Sequence, residues 1–251
     1  MLSNEGPLPL KRVEEQYRGL TYPWGRLEHP EEVPFEVAPG VWWLRFTMPG
    51  PLNHINLWLL EDGDGWTIVD TCLNLETAKA HWESLFNGFM GEKPVKRVIC
   101  THMHPDHIGL AGWLCERFAC DLYMTQAEFL TGSLIMGYTG EQAPPAAISF
   151  YHRAGFSTSQ LDNYRDRFGG FGQFTTPLPH NYQRLTDRQT LAIGGRYWQI
   201  VVGEGHSPEH ACLYCPALQL VIAGDQILPR ITPNVSVFPT EPDGNPLEAW
   251  L

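Results

Sequence analysis

No stretch of this 251-residue chain holds the ~20 consecutive apolar residues that a membrane-spanning helix needs, so helical membrane channels and carriers are excluded. The opening residues, MLSNEGPLPLKRVEEQYRGL, carry acids and prolines where a secretory leader carries an apolar core, and the expected location is cytoplasmic. Positive charge is scarce: 17 Lys and Arg stand against 28 Asp and Glu, a formal net charge of −11. Such a balance repels phosphate backbones, so nucleic acid is not an expected partner. The six cysteines, Cys72, Cys100, Cys115, Cys120, Cys212 and Cys215, are too few and too scattered for a disulfide framework and read as reduced core thiols. Cys212 and Cys215 have C-x-x-C spacing, but they sit in an apolar strand-like stretch with no second pair, which speaks against a zinc ribbon or a redox motif. Internal repeats and low-complexity tracts are also lacking.

What is present describes an ordinary globular protein, 43% hydrophobic and 18% charged, long enough for a single domain over residues 1–251 with a sizeable core. The first forty residues, rich in Pro, Gly and charge, read as an irregular lead-in. From Gly40 onward GVWWLRF, HINLWLLE and WTIVDT form three strand-like runs with an Asp-Gly turn before the last, a β-meander. Leu75, Ala78, Trp82, Leu85, Phe86 and Phe89 then recur at helical spacing, with Asn74 as the expected N-cap and Glu76 in the first turn. VKRVIC reads as a buried strand, IGLAGWLCERF as a helix and DLYM as a short strand. Residues 126–184, poor in strand pattern, are expected to be a helical insertion. Strand signals return in QTLAIGG, YWQIVVG, ACLYC and LQLVIAG. The last residues open a helix without room to continue, and the chain is expected to be a fragment with its C-terminal part missing.

Between the strand VKRVIC and the helix behind it lies THMHPDH, residues 101–107, with three histidines and an aspartate in six positions. Residues two apart on an extended segment project to one side, so His102 and His104 can reach one ion. Asp106 and His107 come where the backbone turns into the helix and can face a second position nearby. Imidazole suits Zn²⁺ and other late first-row cations, and a carboxylate both ligates and orients water. Two further strand ends supply donors of the same kind. VVGEGHSPEH places His206 in a glycine-rich loop, and LVIAGDQIL ends a strand on Asp225. His210 is read as a residue that packs or hydrogen-bonds beneath the site, and His54 as structural.

THMHPDH, GEGHSPEH and AGDQ, in this order and together with TIVDT around Asp70, resemble the metallo-β-lactamase-fold metal-dependent hydrolases, in particular their hydroxyacylglutathione hydrolase (glyoxalase II-like) branch. The resemblance implies an α/β (α+β) fold, an αββα sandwich with a one- or two-metal site. It implies that His102, His104 and His206 hold the first metal, that Asp106 and His107 hold the second, and that Asp225 bridges them. Asp70 would support the site from behind. The family pattern calls for one more His on a later loop, and none of the ten histidines lies beyond His210. The second metal site is expected to be incomplete in this chain.

The chemistry expected is hydrolysis, with a metal-activated hydroxide attacking an ester-type carbonyl and Asp106 orienting the water and passing its proton on. A thiolate leaves more readily than an amine, so a thioester is the expected substrate. Lactones and β-lactams, an iron-dependent sulfur dioxygenase, and a non-catalytic metal-binding fragment are the alternatives weighed. The cofactor expected is Zn²⁺, one or two ions, with Fe or Mn as substitutes. The partner expected is a small-molecule substrate, with a homodimer allowed and no membrane. Arg230 and Asn234, in the proline-marked loop after Asp225, are expected to contact substrate.

Overall fold

The computed structural model describes residues 14–23 and 33–251; the other residues of the expected lead-in lie outside these. A seven-stranded sheet is built from β3 (Phe35–Ala38), β4 (Val41–Thr47), β5 (His54–Asp62), β6 (Gly65–Val69), β7 (Val95–Ile99), β8 (Asp121–Thr125) and β9 (Gln183–Leu185), hydrogen-bonded in that order. A four-stranded antiparallel sheet holds β10 (Thr190–Ile193), β11 (Arg196–Gly203), β12 (His210–Cys215) and β13 (Leu220–Ile222). Ahead of both sheets, β1 (Glu15–Tyr17) and β2 (Leu20–Tyr22) form a hairpin within the segment expected to be irregular.

The β-meander is present as β4, β5 and β6, paired antiparallel, and the expected Asp-Gly connection is the two residues Gly63 and Asp64. From β6 to β9 the pairing is parallel, and parallel neighbours require crossovers. Helix α1 (Glu76–Asn87) crosses from β6 to β7; the single turn α2 (Pro105–Ile108) and α3 (Ala111–Phe118) cross from β7 to β8. The N-cap of α1 is Leu75 rather than Asn74. Asn74 is engaged elsewhere, its backbone N–H donating to the Phe174 carbonyl at 2.8 Å.

Two cores follow from this layering. On the outer face of the seven-stranded sheet, Phe46, Leu57 and Ile68 meet Trp82, Leu85 and Leu114 of the crossover helices. Trp82 is fully buried and its indole N–H is satisfied by the Thr71 carbonyl at 3.0 Å, so truncation to Ala would cost about 3–5 kcal/mol. Between the sheets, Val41, Leu60, Val69 and Ile99 pack on Ile193, Trp198, Ile200 and Leu213. The arrangement is the αββα sandwich. All six cysteines are free thiols.

The segment after β8 holds α4 (Gln126–Gly137), α5 (Pro145–Arg153), α6 (Thr158–Arg167) and a 3-10 turn at Phe171–Phe174, and its last positions already belong to β9. A final turn, α7 (Pro246–Trp250), lies against the loop after β13 through a bond from Trp250 Nε1 to the Gln226 carbonyl. Among the described residues no helix is long and apolar enough to cross a membrane. Asp70 follows β6, residues 101–107 follow β7, His206 follows β11 and Asp225 follows β13. Strand ends that converge at one edge in this way are where α/β sheets assemble sites.

Candidate metal centre

Asp70 anchors the centre from below. Its backbone has a φ of +62°, a left-handed conformation that Asp tolerates better than most residues, and this turns the chain sharply as it leaves β6. The buried carboxylate accepts the Thr101 backbone N–H at 2.8 Å, the Thr101 hydroxyl, and His107 Nδ1 at 2.8 Å. One residue therefore fixes both the start of the ligand loop and the ring of its last histidine.

These bonds decide which nitrogens carry protons. Thr101 has one hydroxyl hydrogen, and donating it to Asp70 leaves its oxygen to accept from His102 Nδ1 at 3.0 Å. The proton of His102 is thus on Nδ1, and Nε2 presents a lone pair. His206 donates Nδ1–H to the Asn234 carbonyl at 2.9 Å and likewise presents Nε2. His107 donates Nδ1–H to Asp70, which in the neutral ring leaves Nε2 free.

The nitrogens so freed converge. His102 Nε2 lies 2.9 Å from His104 Nδ1 and 3.2 Å from His206 Nε2. Two lone pairs facing each other at 3.2 Å repel unless a cation lies between them, and tetrahedral Zn–N bonds of about 2.1 Å imply nitrogens about 3.4 Å apart. His102, His104 and His206 form one group able to hold an ion, and His102, His107 and Asp225 form a second. Buried His107 Nε2 has no hydrogen-bond partner, and Asp225 Oδ1 is 3.5 Å from it. The other oxygen of Asp225 lies 3.6 Å from His206 Nε2, so this carboxylate faces both groups. Asp106 sits at the edge, with Oδ2 3.7 Å from His107 Nε2. An orphaned imidazole nitrogen and a cluster of lone pairs fit one or two divalent cations.

The electrostatics follow from burial. It holds His102 well below the usual imidazole range, helped by the neighbouring histidines, and brings His104 down to about 4. Burial also disfavours charge on His107, but Asp70 and then Asp106 outweigh it and raise its pKa. For Asp225 burial opposes ionisation, and the neighbouring imidazoles, His107 first, overcome it, leaving the carboxyl well below its usual range.

His210 lies beneath the donors. Its ring stacks on His102, with centroids 4.6 Å apart, and its Nε2 accepts the backbone N–H of Asp225 at 3.1 Å. The nitrogen is committed to orienting the Asp225 segment. Gly224, just before it, has a φ of +50°, and a Cβ there would come within 2.6 Å of His210 Nε2.

The expected substrate contacts are placed differently. Arg230 pairs with Glu15 at 2.8 Å and lies over the rings of Tyr17 and Tyr22, so its guanidinium is engaged by the N-terminal hairpin. Asn234 reaches the centre through its main-chain carbonyl on His206, while its side chain accepts from Ser236. A cavity of about 550 Å³ lies between α4 and residues 175–180, lined in part by Phe129, Met136, Leu178 and His180; none of the donor residues lines it.

Two participants have no signal in the sequence. One is the Asn234 carbonyl, a backbone group that any residue would supply. The other is Glu128, fully buried on the first turn of α4, whose carboxylate accepts the N–H of Met103 and that of Glu209. A glutamate opening a helix reads equally well as a solvated one.

The sequence matches the family model described as Metallo-beta-lactamase superfamily over residues 50–251. Among curated proteins it is similar to the probable metallo-hydrolase YybB of Bacillus subtilis (strain 168), 23% identical over 191 residues, covering 76% of this chain and 70% of that protein. Over 75 residues it is 39% identical to a linear primary-alkylsulfatase of Pseudomonas sp, a match covering 30% of this chain and 10% of the sulfatase. Among solved structures, a beta-lactamase domain protein from Burkholderia ambifaria superposes with a TM-score of 0.81 at 40% identity, over 91% of this chain and 66% of that one. A metallo-beta-lactamase family protein from Thermus thermophilus follows at 0.71 and 27%, over 86% of this chain and 68% of that one.

Proposed function

This chain belongs to the metallo-beta-lactamase superfamily, and from that premise we propose that it is a metal-dependent hydrolase of ester-type bonds, with thioesters as its leading substrates and Zn²⁺ as its cation. The observation that carries the reading is the convergence of unprotonated nitrogens, His102 Nε2 and His206 Nε2 at 3.2 Å with His104 Nδ1 beside them, next to the orphaned His107 Nε2. Three imidazoles favour a late first-row cation over Mg²⁺ or Ca²⁺. His102, His104 and His206 would hold one ion, and His107 and Asp225, with Asp106 beside them, the other. Divalent cations held there acidify water toward neutral pH and polarise a carbonyl oxygen.

The residues of the chain do the rest. In this reading Asp106, partly exposed at the edge of the second group, orients the attacking water and takes its proton at Oδ2, a role its 3.7 Å distance from His107 Nε2 supports. Asp225, kept ionised by His107, supplies negative charge between the two groups at all ordinary pH values. A leaving group that departs as an anion needs no separate general acid. A thiolate, whose conjugate acid has a pKa of about 8.5, departs without one, whereas an amine does not. Thioesters are favoured over amides for that reason.

A second reading, sulfate-ester hydrolysis, is supported by the 39% identity to the alkylsulfatase. The test is a panel of acyl thioesters and alkyl sulfates offered to the zinc-loaded protein, reading free thiol by disulfide exchange and inorganic sulfate separately, with His102→Ala as control. Thiol release about a hundredfold or more above the control is expected. Sulfate release without thiol release would replace the thioester reading with the second, and neither product above the control would end the hydrolase reading for both classes.

A further inference from the structure

Glu128 is fully buried, and no cation lies among the groups that set its ionisation. An unpaired buried carboxylate is costly unless its oxygens are satisfied by donors. Here the Ser207 side chain favours the carboxylate, and two backbone amides from different loops bond it: Oε2 accepts from Met103, between His102 and His104, and Oε1 from Glu209, between His206 and His210, each at 2.8 Å. Its place in the first turn of the twelve-residue α4 also puts the negative charge at the positive end of a helix.

Neighbouring bonds reinforce the bridge. Glu209 Oε2 accepts the Ala127 N–H at 2.9 Å, and the Thr125 hydroxyl donates to the Glu209 carbonyl at 2.8 Å. One turn along α4, Gly132 lies against the Met103 side chain, where an added Cβ would be 3.3 Å away. The His206 loop and the His102 loop are therefore keyed to the same end of one helix.

We propose that Glu128 is a positioning residue: it sets the separation of the two loops so that His102 and His104 meet His206, and thereby sets the affinity of that group for a divalent cation. The proposal rests on the metal-centre reading above but on no choice of substrate. It bears most on the first group: His102 is common to both groups, but of the second group's other members His107 is held by Asp70 and Asp225 by His210. Removing the bridge separates His102 and His104 from His206 and disturbs the second group less.

The test is Glu128→Gln in the full chain. Glutamine keeps the volume, but it has one acceptor oxygen and turns an NH₂ toward the other amide, so one of the two bonds is lost. Stepwise affinities for Co²⁺ are measured against a competing chelator, together with the ligand-field absorption of the Co²⁺-loaded protein and Tm. The expected result is a loss of about 10–100-fold in affinity at one site, a changed spectrum for that site, and a smaller change at the other. A lowered Tm with affinities and spectrum unchanged would reduce Glu128 to a structural role and overturn the proposal. Should Glu128→Gln fail to fold, Thr125→Val loosens the same tether from the other loop; a selective loss at one site supports the proposal and unchanged Co²⁺ binding sinks it. A wild-type chain that takes up no Co²⁺ overturns both this proposal and the metal-centre reading, whereas normal uptake by wild type and Glu128→Gln alike overturns only the proposal.

Discussion

Asp70 Oδ2 and His107 Nδ1 meet at 2.8 Å, both buried, so that in the neutral imidazole the proton is held away from the centre and Nε2 is left free to ligate. Asp70→Asn should break that assignment. With an amide NH₂ toward His107, Nδ1 becomes the acceptor, the proton moves to Nε2, and the nitrogen facing Asp225 can no longer ligate. The expected result is a metal stoichiometry lowered by one ion per chain and a stability loss of about 1–3 kcal/mol from the disturbed Thr101 bonds. Elemental analysis and denaturant unfolding read the two separately, and an unchanged metal content would show that His107 is not a ligand.

Arg230 gives a different kind of prediction, because it lies between Tyr17 and Tyr22 and pairs with Glu15. Tyr22 Oη also donates to the Pro229 carbonyl at 2.6 Å, so the hairpin and the loop leading to Asn234 are tied at two points. Arg230→Ala should release the hairpin, costing about 0.5–2 kcal/mol and exposing residues 14–23 to limited proteolysis, with KM for any substrate unchanged. A raised KM with the hairpin still protected would restore a substrate-contact role.

The contrast between these residues shows what the sequence discloses. Donor types just past the ends of apolar runs are legible, because a strand followed within three residues by His206 or Asp225 carries its chemistry in its own letters. The individual strands and helices are legible in period-two and helical patterns, whereas the αββα layering is implied by the resemblance of the motifs to a known family. Long-range main-chain bonds are not. The Asn234 carbonyl on His206 and the amides of Met103 and Glu209 on Glu128 depend on where distant loops come to rest, and a side chain such as Arg230 close to Asp225 in sequence can be drawn to a hairpin more than two hundred residues earlier. The short strands β1 and β2 lack any apolar run to announce them.

The metal-free protein should lose stability on acidification. Burial and neighbouring histidines bring His104 down to about 4 and His210 to about 3, and hold His102 well below the usual range. The unfolded chain takes up these protons from about pH 6.5 downward while the folded chain refuses them, so stability falls from there toward the folded-state values. His107 does not add to this loss: its raised pKa contributes stability that is full at acid pH and is lost only as pH rises through the folded value. Asp225, with a lowered pKa, gives up its contribution only below the usual carboxylate range. Tm of the chelator-treated protein should therefore drop steadily between about pH 7 and about pH 4, and added Zn²⁺ should oppose the drop at its upper end. A flat Tm across that window would contradict the placement of three neutral histidines in one buried cluster.

Gly224 offers a test of how tightly the floor of the centre is built. Its φ of +50° alone would cost a substituted alanine about 1–2 kcal/mol. The added Cβ would also stand 2.6 Å from His210 Nε2 and 2.9 Å from Thr101 Oγ1, inside any allowed contact. His210 would have to leave the Asp225 N–H it accepts, and the carboxylate facing both donor groups would move with it. Gly91→Ala is the matched control, with a φ of +61° and nothing within 4 Å of the new Cβ. Gly91→Ala should lose only the backbone term and keep its metal, while Gly224→Ala should lose about 1–3 kcal/mol more and bind metal more weakly. Equal destabilisation of the two variants with metal binding intact would mean that the His210 ring yields freely and that Asp225 is held by something other than His210.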